Sequence, residues 1–202
     1  MKSADFLIIG GGVAGLSAAA RLVKHGSVTV LEGEEALGYH SSGRSVTFSH
    51  FGIGNSAVRA LTAHSRPFYE APPEGFETAP LSQPQPSAYL ATEETLARLE
   101  ALHAQMSQFT DRLQWMDEER MKEVCPVLRT GEGGFVRGVL DDSGLKLDAE
   151  ALLQSLSRAV RGGGGELLMG QRIEAIELKG DKWHVRNTAD EEWSAPILIN
   201  AA

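Results

Sequence analysis

The chain has 202 residues, of which 42% are hydrophobic and 23% charged, as is typical of a globular protein with a buried core. Its 19 basic and 27 acidic side chains give a formal net charge of −8, which argues against nucleic acid or an anionic membrane surface as a partner. The single cysteine excludes an internal disulfide, and we find no signal-peptide pattern or transmembrane segment, so the sequence predicts a cytoplasmic protein.

The first 32 residues contain the most informative pattern. The apolar run Phe6–Ile9 leads directly into glycines at positions 10, 12 and 15. A helical pattern follows, and then a second apolar run, Val28–Leu31, which ends in Glu32. The spacing G-x-G-x-x-G between a strand and a helix, with an acidic residue about 20 positions later, is the dinucleotide-binding fingerprint. Residues 5–32 are therefore predicted to form a β-α-β unit that binds a nucleotide.

Each residue of this fingerprint has a physical role in holding a pyrophosphate. Gly10 permits the tight turn, Gly12 the close approach of the phosphates, and Gly15 the close packing of helix against strand. The helix N-terminus presents free N–H groups and partial positive charge to the phosphates. Glu32 can accept hydrogen bonds from a ribose 2′-hydroxyl and would repel a 2′-phosphate, so NADP is not expected.

Residues 33–46 contain three glycines and three serines, and this composition predicts a loop. Within it, the segment Tyr39-His-Ser-Ser-Gly-Arg-Ser45 combines hydroxyls, backbone N–H groups and one guanidinium. Such a loop can wrap a pyrophosphate and the edge of a ring system. Because it follows a dinucleotide fingerprint, it favours a flavin over a nicotinamide cofactor; a surface loop without a ligand is the alternative.

The middle of the chain alternates between helical and irregular patterns. Residues 56–66 have apolar positions at helical spacing, whereas six of the eight prolines lie between 67 and 87 and predict irregular structure there. A short strand is expected over 88–91. Thr92 is the predicted N-cap of the next helix, with an incomplete capping box because Thr95 stands where Glu or Gln is needed. The apolar face of that helix holds Leu96, Leu99, Leu102 and Met106.

The second half of the chain predicts two more helices and several strands. A short helix over 117–124 ends before Pro126, and a strand is expected over 133–140. Asp148 is predicted to cap a helix that ends at Gly162–Gly165. The inner face of that helix holds Leu152, Leu153, Leu156 and Val160. The remaining predicted strands are 166–169, 173–178, 182–186 and 197–199, the middle two forming a hairpin around Gly180-Asp181.

Taken together, these segments resemble the FAD-dependent D-amino-acid oxidase/dehydrogenase superfamily, which includes glycine oxidase and sarcosine oxidase, and within it the bacterial D-arginine dehydrogenases. The resemblance lies in Ile8–Gly15, Val30–Glu32, Gly38–Ser45, Val58–Ala63, Pro72–Phe76, Pro126–Arg129 and Leu198–Ala202. It implies the α/β class, with a Rossmann-like FAD-binding domain (1–46 and 146–202) and an interleaved, incomplete α+β substrate domain (47–145). Because members of this superfamily are nearly twice as long, the chain is expected to be the N-terminal part of such an enzyme.

The resemblance also implies a set of FAD-binding residues. The glycines of the fingerprint would hold the pyrophosphate and Glu32 the adenosine ribose, while Ser41–Ser45 would lie along the pyrophosphate and flavin side. Backbone groups at Arg172–Ile173 would lie near the adenine. The predicted set is Gly10, Gly12, Val13, Ala14, Gly15, Leu31, Glu32, Gly33, Ser41, Ser42, Gly43, Arg44, Ser45, Arg172, Ile173, Ala201 and Ala202.

The implied reaction is oxidation of the CH–NH₂ group of an amino acid, expected to be a D-amino acid. Hydride would pass to flavin N5, and the imine would hydrolyse to a keto acid and ammonia. His50 is the candidate catalytic residue, with a purely structural histidine as the alternative, and no metal site is predicted. The resembled pattern has polar, aromatic or acidic groups where this chain has Phe48, Ile53 and Ser87, so a neutral D-amino acid or another amine is an alternative to arginine. The electron acceptor is not identified.

Two other functions share the fingerprint. One is an FAD-dependent dehydrogenase of the 2-hydroxy-acid or glycerol-3-phosphate type, which would release no ammonia. The other is a truncated, non-catalytic FAD-binding module, which would bind flavin without reducing it. In that case the isolated 202 residues would be inactive.

Overall fold

A computed structural model describes residues 1–74, 76 and 79–202 of the chain. Gly75, Glu77 and Thr78, which belong to the segment predicted to be irregular, lie outside the described residues. The helices are α1 (Val13–Leu22), α2 (Ser41–Arg44), α3 (Ser56–Glu70), α4 (Leu96–Met106), α5 (Glu118–Val124) and α6 (Ala149–Gly162), with a 3₁₀ turn at Glu93–Thr95. The strands are β1 (Lys2–Ser3), β2 (Phe6–Ile9), β3 (Val28–Leu31), β4 (Phe48–Ser49), β5 (Ser82–Pro84), β6 (Ser87–Ala91), β7 (Leu113–Met116), β8 (Arg137–Asp141), β9 (Leu145–Leu147), β10 (Glu166–Leu168), β11 (Ile173–Lys179), β12 (Lys182–Asn187), β13 (Glu192–Ala195) and β14 (Ile197–Asn200).

The described residues divide into two compact units, each assembled from segments that are distant in sequence. The first unit comprises Met1–Ser45, Pro73–Leu81 and Asp148–Ala202. The second comprises Val46–Pro72 and Ser82–Leu147. Among the described residues, no helix combines the length and the apolar composition needed to cross a bilayer.

A four-stranded parallel sheet forms the centre of the first unit, in the order β10-β3-β2-β14. All four residues of β3 are buried, as expected for a strand covered on both faces. On one face the sheet packs against α1 and α6, with a core of Ile8, Ala19, Val28, Val30 and Val160. The opposite face packs against a second sheet, β1-β13-β12-β11, with a core of Leu7, Ile9, Leu31, Val185, Trp193 and Ala195. Successive side chains of β2 point to opposite faces of the sheet, so this strand contributes residues to both cores.

Helix α6 forms for the reasons that its sequence indicates. The Asp148 carboxylate accepts a hydrogen bond from the Ala151 N–H at 2.8 Å and so caps the first turn. Past the last turn, Gly164 adopts a φ of +83°, which lets the chain reverse into β10. The predicted inner face is buried at Leu152, Leu153, Leu156 and Val160.

The second unit contains two three-stranded antiparallel sheets, β4-β9-β5 and β6-β8-β7. The β6-β8-β7 sheet packs against α4 through a core formed by Ala91, Leu99 and Val139. A neighbouring core, formed by Met116, Met121 and Leu140, joins α5 to the same sheet. This arrangement, together with the parallel sheet of the first unit, confirms the predicted α/β class with a Rossmann-like sheet.

Most predicted helices and strands lie within two residues of their observed bounds, but four predictions need correction. Helix α3 does not end at residue 66; it continues through Pro67 to Glu70, and the Ala71 N–H bonds to the Pro67 carbonyl at 2.9 Å. Pro67 leaves one intrahelical hydrogen bond unmade, but the residues after it still close the last turn of the helix. The strand predicted over 133–140 begins only at Arg137, because a turn closed by the Gly134 N–H and the Gly131 carbonyl at 2.8 Å precedes it.

The other two corrections concern local hydrogen bonds. The predicted loop over 33–46 contains a helical turn at Ser41–Arg44, where the Gly43 N–H bonds to the Gly38 carbonyl at 2.8 Å. The capping box at Thr92 is complete, because the Thr95 hydroxyl accepts a hydrogen bond from the Thr92 N–H at 2.9 Å. A threonine hydroxyl thus replaces the expected carboxylate or amide. Short strands at β1, β4, β5, β7, β9 and β13 were not predicted, since their sequences show no clear alternation.

The two-sided core of the first unit gives a test of stability. Leu7 is fully buried, whereas Leu178 in β11 is 58% exposed. Leu7→Ala is expected to lower the free energy of unfolding by about 2–5 kcal/mol, because it removes apolar contacts and leaves a cavity. Leu178→Ala, the matched control, should change it by no more than about 0.5 kcal/mol. Urea denaturation followed by circular dichroism measures both; equal losses would contradict the described core.

Candidate functional site

The end of strand β2 is a tight turn that only glycine accommodates. Gly10 has a φ of +104°, and its N–H bonds to the Leu31 carbonyl at 2.8 Å. On the other side of β2, the Ala201 N–H bonds to the Ile9 carbonyl at 2.8 Å. A Cβ on Gly10 would lie 2.5 Å from the Ala201 carbonyl oxygen. Both the left-handed backbone and this close approach therefore require glycine here.

The N-terminus of α1 opens directly after this turn. Gly12 is the N-cap residue and makes no side-chain capping bond, and the first turn contains no acidic residue. The Ser42 hydroxyl oxygen accepts a hydrogen bond from the Val13 N–H at 3.1 Å. The other N–H groups of the first turn have no acceptor within the helix, so they and the helix dipole can act on an anion. Gly15 lies deeper in α1, and a Cβ there would overlap the Gly10 carbonyl.

Glu32, at the end of β3, is held by two backbone donors. Its Oε2 accepts from the Gly11 N–H at 2.6 Å, and its Oε1 accepts from the Glu34 N–H at 2.9 Å. The sequence predicted only a ribose ligand for Glu32, so this role in fixing the glycine loop was missed. Each carboxylate oxygen can still accept a second hydrogen bond.

The serine-rich segment is tied to the same glycine loop. The Gly38 N–H bonds to the Gly11 carbonyl at 3.1 Å. Arg44 turns back within its own segment, where its Nε donates to the Tyr39 carbonyl at 3.0 Å and its guanidinium carbon lies 4.8 Å from the centre of the Tyr39 ring. The Arg44 guanidinium thus contacts both the backbone and the ring of Tyr39.

Residues 170–173 close the other end of the site. The Gln171 N–H bonds to the Glu32 carbonyl at 2.7 Å, and the Gly170 N–H bonds to the Glu34 carbonyl at 2.9 Å. The Gln171 side-chain oxygen accepts from the Asn187 amide at 2.7 Å. This segment is thereby fixed beside the end of β3.

These elements enclose a groove of about 580 Å³ in the first unit. The predicted residues that line it are Gly10, Gly12, Val13, Ala14, Leu31, Glu32, Gly33, Ser41, Ser42, Arg172, Ile173, Ala201 and Ala202. Four predicted residues do not line it: Gly15, Gly43, Arg44 and Ser45. Lining residues outside the predicted set of FAD-binding residues are Ile9, Glu34, Gly38, Tyr39, His40 and Gln171. All of these are close neighbours of predicted residues in the sequence, which is the signal that could have found them.

The second unit has a cavity of its own, of about 320 Å³. It is lined by Phe48, Ser49, His50, Ile53, Val58, Leu61, Thr62, Ser65, Tyr69 and Leu147. Among the described residues of this lining, the ionisable groups are His50 and the Tyr69 phenol, whose pKa burial raises. The cavity thus offers an apolar surface with several neutral hydroxyls.

His50 is held on two sides in this unit. Its Nδ1 lies 2.6 Å from the Tyr89 hydroxyl oxygen and accepts from the Gly52 N–H at 3.2 Å. The Phe48 ring stacks on it, with the ring centres 4.7 Å apart. Burial lowers the pKa of His50, and the Asp141 carboxylate opposes this with a smaller effect. The lowered pKa favours the neutral imidazole.

The comparisons with known proteins identify the family. Residues 5–202 match the model of the DAO family, described as FAD dependent oxidoreductase. The chain therefore belongs to the DAO family of FAD-dependent oxidoreductases, and its cofactor is FAD. This confirms the resemblance found in the sequence.

Solved structures of three enzymes share the fold over the whole of this chain. They are L-α-glycerophosphate oxidase from Mycoplasma pneumoniae (18% identity, TM-score 0.88), glycine oxidase from Geobacillus kaustophilus (18%, 0.85) and L-amino acid deaminase from Proteus myxofaciens (18%, 0.83). The match covers 54%, 56% and 46% of those chains, so this chain spans about half of their length. At such identities the likeness shows the fold.

The glycine turn gives the test for this site. Gly10→Ala and Gly164→Ala both place alanine at a positive φ, which costs about 1–2 kcal/mol, but nothing lies within 4 Å of a Cβ on Gly164. Gly10→Ala is expected to cost about 1–3 kcal/mol more, because its Cβ meets the Ala201 carbonyl. Chemical denaturation measures the difference; equal losses would show that the turn is looser than described.

Proposed function

We propose that the groove of the first unit holds the adenosine diphosphate part of FAD. The observation that supports this most directly is the N-terminus of α1, where only the Val13 N–H is bonded to a side chain of the described residues, beside two glycines, Gly10 and Gly15, whose Cβ positions are filled by neighbouring atoms. A pyrophosphate placed there would accept hydrogen bonds from the first-turn N–H groups and interact favourably with the helix dipole. The residues present thus fit the cofactor of the family.

The same proposal gives roles to the rest of the groove. The free lone pairs of Glu32 would accept hydrogen bonds from the adenosine ribose, and Arg172–Ile173 would lie beside the adenine. Ser41 and Ser42, at the start of α2, would contact the pyrophosphate side. The assignments of Gly43, Arg44 and Ser45 stay predictions, because these residues do not line the groove. We accordingly assign FAD binding to the first unit and part of a substrate domain to the second.

We further propose that the protein oxidises the CH–NH₂ group of an amino acid, to give an imine that hydrolyses to a keto acid and ammonia. When bound, the flavin supplies the hydride acceptor for this step. The names of two structures with the same fold, a glycine oxidase and an L-amino acid deaminase, support an amino-acid substrate. The D configuration rests on the resemblance seen in the sequence alone.

The lining of the cavity in the second unit favours a substrate whose side chain is uncharged. A cationic side chain needs an acidic partner, and none is found among the described residues that line the cavity. We infer that the cavity binds an uncharged, largely apolar substrate group, with His50 as its polar contact. The arginine side chain fits this lining poorly.

A second candidate is oxidation of glycerol 3-phosphate or a 2-hydroxy acid. The observation in its favour is the L-α-glycerophosphate oxidase structure, which matches with a TM-score of 0.88. This substrate class is anionic and contains no nitrogen, so the products distinguish it from an amino acid. The described lining of the cavity offers no cationic side chain for a phosphate, which argues against glycerol 3-phosphate.

The proposed function is tested by visible absorbance of the purified chain. A flavin spectrum is expected, and anaerobic addition of a D-amino acid with a neutral side chain should bleach it. Ammonia should appear after reoxidation in proportion to the flavin reduced. A panel of D- and L-amino acids, glycerol 3-phosphate and 2-hydroxy acids defines the class. Bleaching by a hydroxy compound without ammonia would replace the proposal by the second candidate, and a flavin that no compound bleaches would favour a binding module.

The substrate class is tested at Ile53, which lines the cavity and is 62% exposed. Ile53→Glu introduces a carboxylate there, while Ile53→Gln is the uncharged control of similar size. Relative to the control, Ile53→Glu should raise the ratio of kcat/KM for D-arginine over D-leucine roughly two- to fivefold, as expected for an exposed ion pair of about 0.5–1 kcal/mol. An unchanged ratio would place the substrate side chain away from this cavity.

A further inference from the structure

The hydrogen bonds around His50 define which ring nitrogen bears the proton. The Gly52 N–H donates to Nδ1 at 3.2 Å, and a backbone N–H can only donate. Nδ1 is therefore the unprotonated, accepting nitrogen. The Tyr89 hydroxyl, 2.6 Å from the same atom, must then be the donor in its contact with His50. The proton of the neutral ring is left on Nε2.

The Tyr89 hydroxyl is itself supported in this donating role. Its oxygen accepts a hydrogen bond from the Ser87 hydroxyl at 3.4 Å, so its own proton is free to point toward His50. Gly52 makes this close arrangement possible, because a Cβ there would overlap the Tyr89 ring and hydroxyl. The stacked Phe48 ring covers one face of the imidazole. Hydrogen bonds and packing thus hold the ring in a single orientation.

We propose that Tyr89 is a positioning residue that fixes His50 in the tautomer with its proton on Nε2, so that His50 donates a hydrogen bond to an acceptor atom of the ligand in the cavity of the second unit. Among the residues that the structure describes, none is bonded to Nε2. His50 in this tautomer cannot remove a proton from a substrate through Nε2, because that atom already bears one. The inference rests on the proposed function only for the identity of the ligand.

The charged groups near His50 are compatible with this arrangement. Asp141 on β8 is fully buried, and one of its oxygens accepts from the Ser143 N–H at 2.8 Å. Arg59 on α3 is buried and donates through Nε to the Phe51 carbonyl at 2.7 Å. Burial raises the pKa of Tyr89, which keeps its hydroxyl protonated and able to donate. Protonating Nδ1 of His50 would set its N–H against the Gly52 N–H, so the cation is disfavoured.

The proposal is tested by long-range ¹H–¹⁵N NMR of the full chain labelled at its six histidines, without substrate. His50→Gln identifies the His50 signals by their loss. In the unsubstituted chain we expect His50 in the Nε2–H form, with a titration midpoint below the ordinary value of about 6.5. In Tyr89→Phe, which keeps the ring, only the longer 3.2 Å bond from the Gly52 N–H still favours this tautomer. The Nδ1–H form should therefore become partly populated, and the midpoint should rise toward that value.

Tyr69→Phe is the matched control, because Tyr69 is a half-buried tyrosine of the same unit that lines the same cavity. It should leave the tautomer and midpoint of His50 unchanged. Circular dichroism establishes that each variant folds. A predominant Nδ1–H form in the unsubstituted chain would overturn the proposal whether or not Tyr89→Phe folds, and so would a folded Tyr89→Phe with an unchanged His50. The NMR experiment contains no substrate, so a negative result there concerns only the His50 tautomer. Failure of the proposed amino-acid oxidation would instead be seen as a flavin that amino acids do not bleach.

Discussion

The close approach of three backbone segments at the end of β2 is the constraint on which the first unit depends. Strand β2 is one of the two inner strands of the parallel sheet. The carbonyl of its last residue, Ile9, accepts a hydrogen bond from the N–H of Ala201, near the other end of the chain. Gly10 turns the chain at a positive φ, and Gly15 lets α1 pack on that turn. Any side chain there would force the strand and the helix apart. Because the backbones of Gly10, Gly15 and Ala201 lie so close together, the N-terminus of α1 is held at the end of the parallel sheet, where it lines the groove.

Electrostatics in the groove follow from the same geometry. A chain with a net charge of −8 is a poor general ligand for phosphates, so an anion site has to be built locally. The features that would favour the proposed pyrophosphate are local: the first turn of α1 presents its backbone dipole and contains no acidic residue, and the nearby Glu32 carboxylate accepts hydrogen bonds from two N–H groups. Glu32 thereby joins the glycine loop to the end of β3, and it keeps acceptor capacity for a hydroxyl group.

The second unit is organised around a different kind of contact. A glycine again allows the close approach, but here Gly52 admits a tyrosine side chain rather than a second backbone. The result is a polar chain from Ser87 through Tyr89 to His50 at the margin of a mostly apolar cavity. Each of these three side chains is partly buried, and the hydrogen bonds between them both satisfy their polar atoms and fix the orientation of each donor.

Local signals in the sequence determined the β-α-β unit, the family and most of the lining of the groove. Strands β2 and β3, the three glycines and Glu32 are close in sequence, so their spacing alone defines their geometry. The sequence also predicted the amphipathic helix α6, because an N-cap, a 3.6-residue apolar period and a glycine stop are local features. The helical turn at Ser41–Arg44 was missed, since short polar segments have no period to read.

Only the tertiary structure decided the features that depend on contacts between distant segments. The hydrogen bond from the Gly11 N–H to the Glu32 carboxylate and the docking of Gln171 beside Glu32 follow from packing rather than from spacing. The same holds for His50, which the sequence offered as a candidate catalytic residue, with a structural histidine as the alternative. Its Nδ1 contacts the hydroxyl of Tyr89, 39 residues away, and sequence periodicity does not predict a side-chain hydrogen bond over that separation.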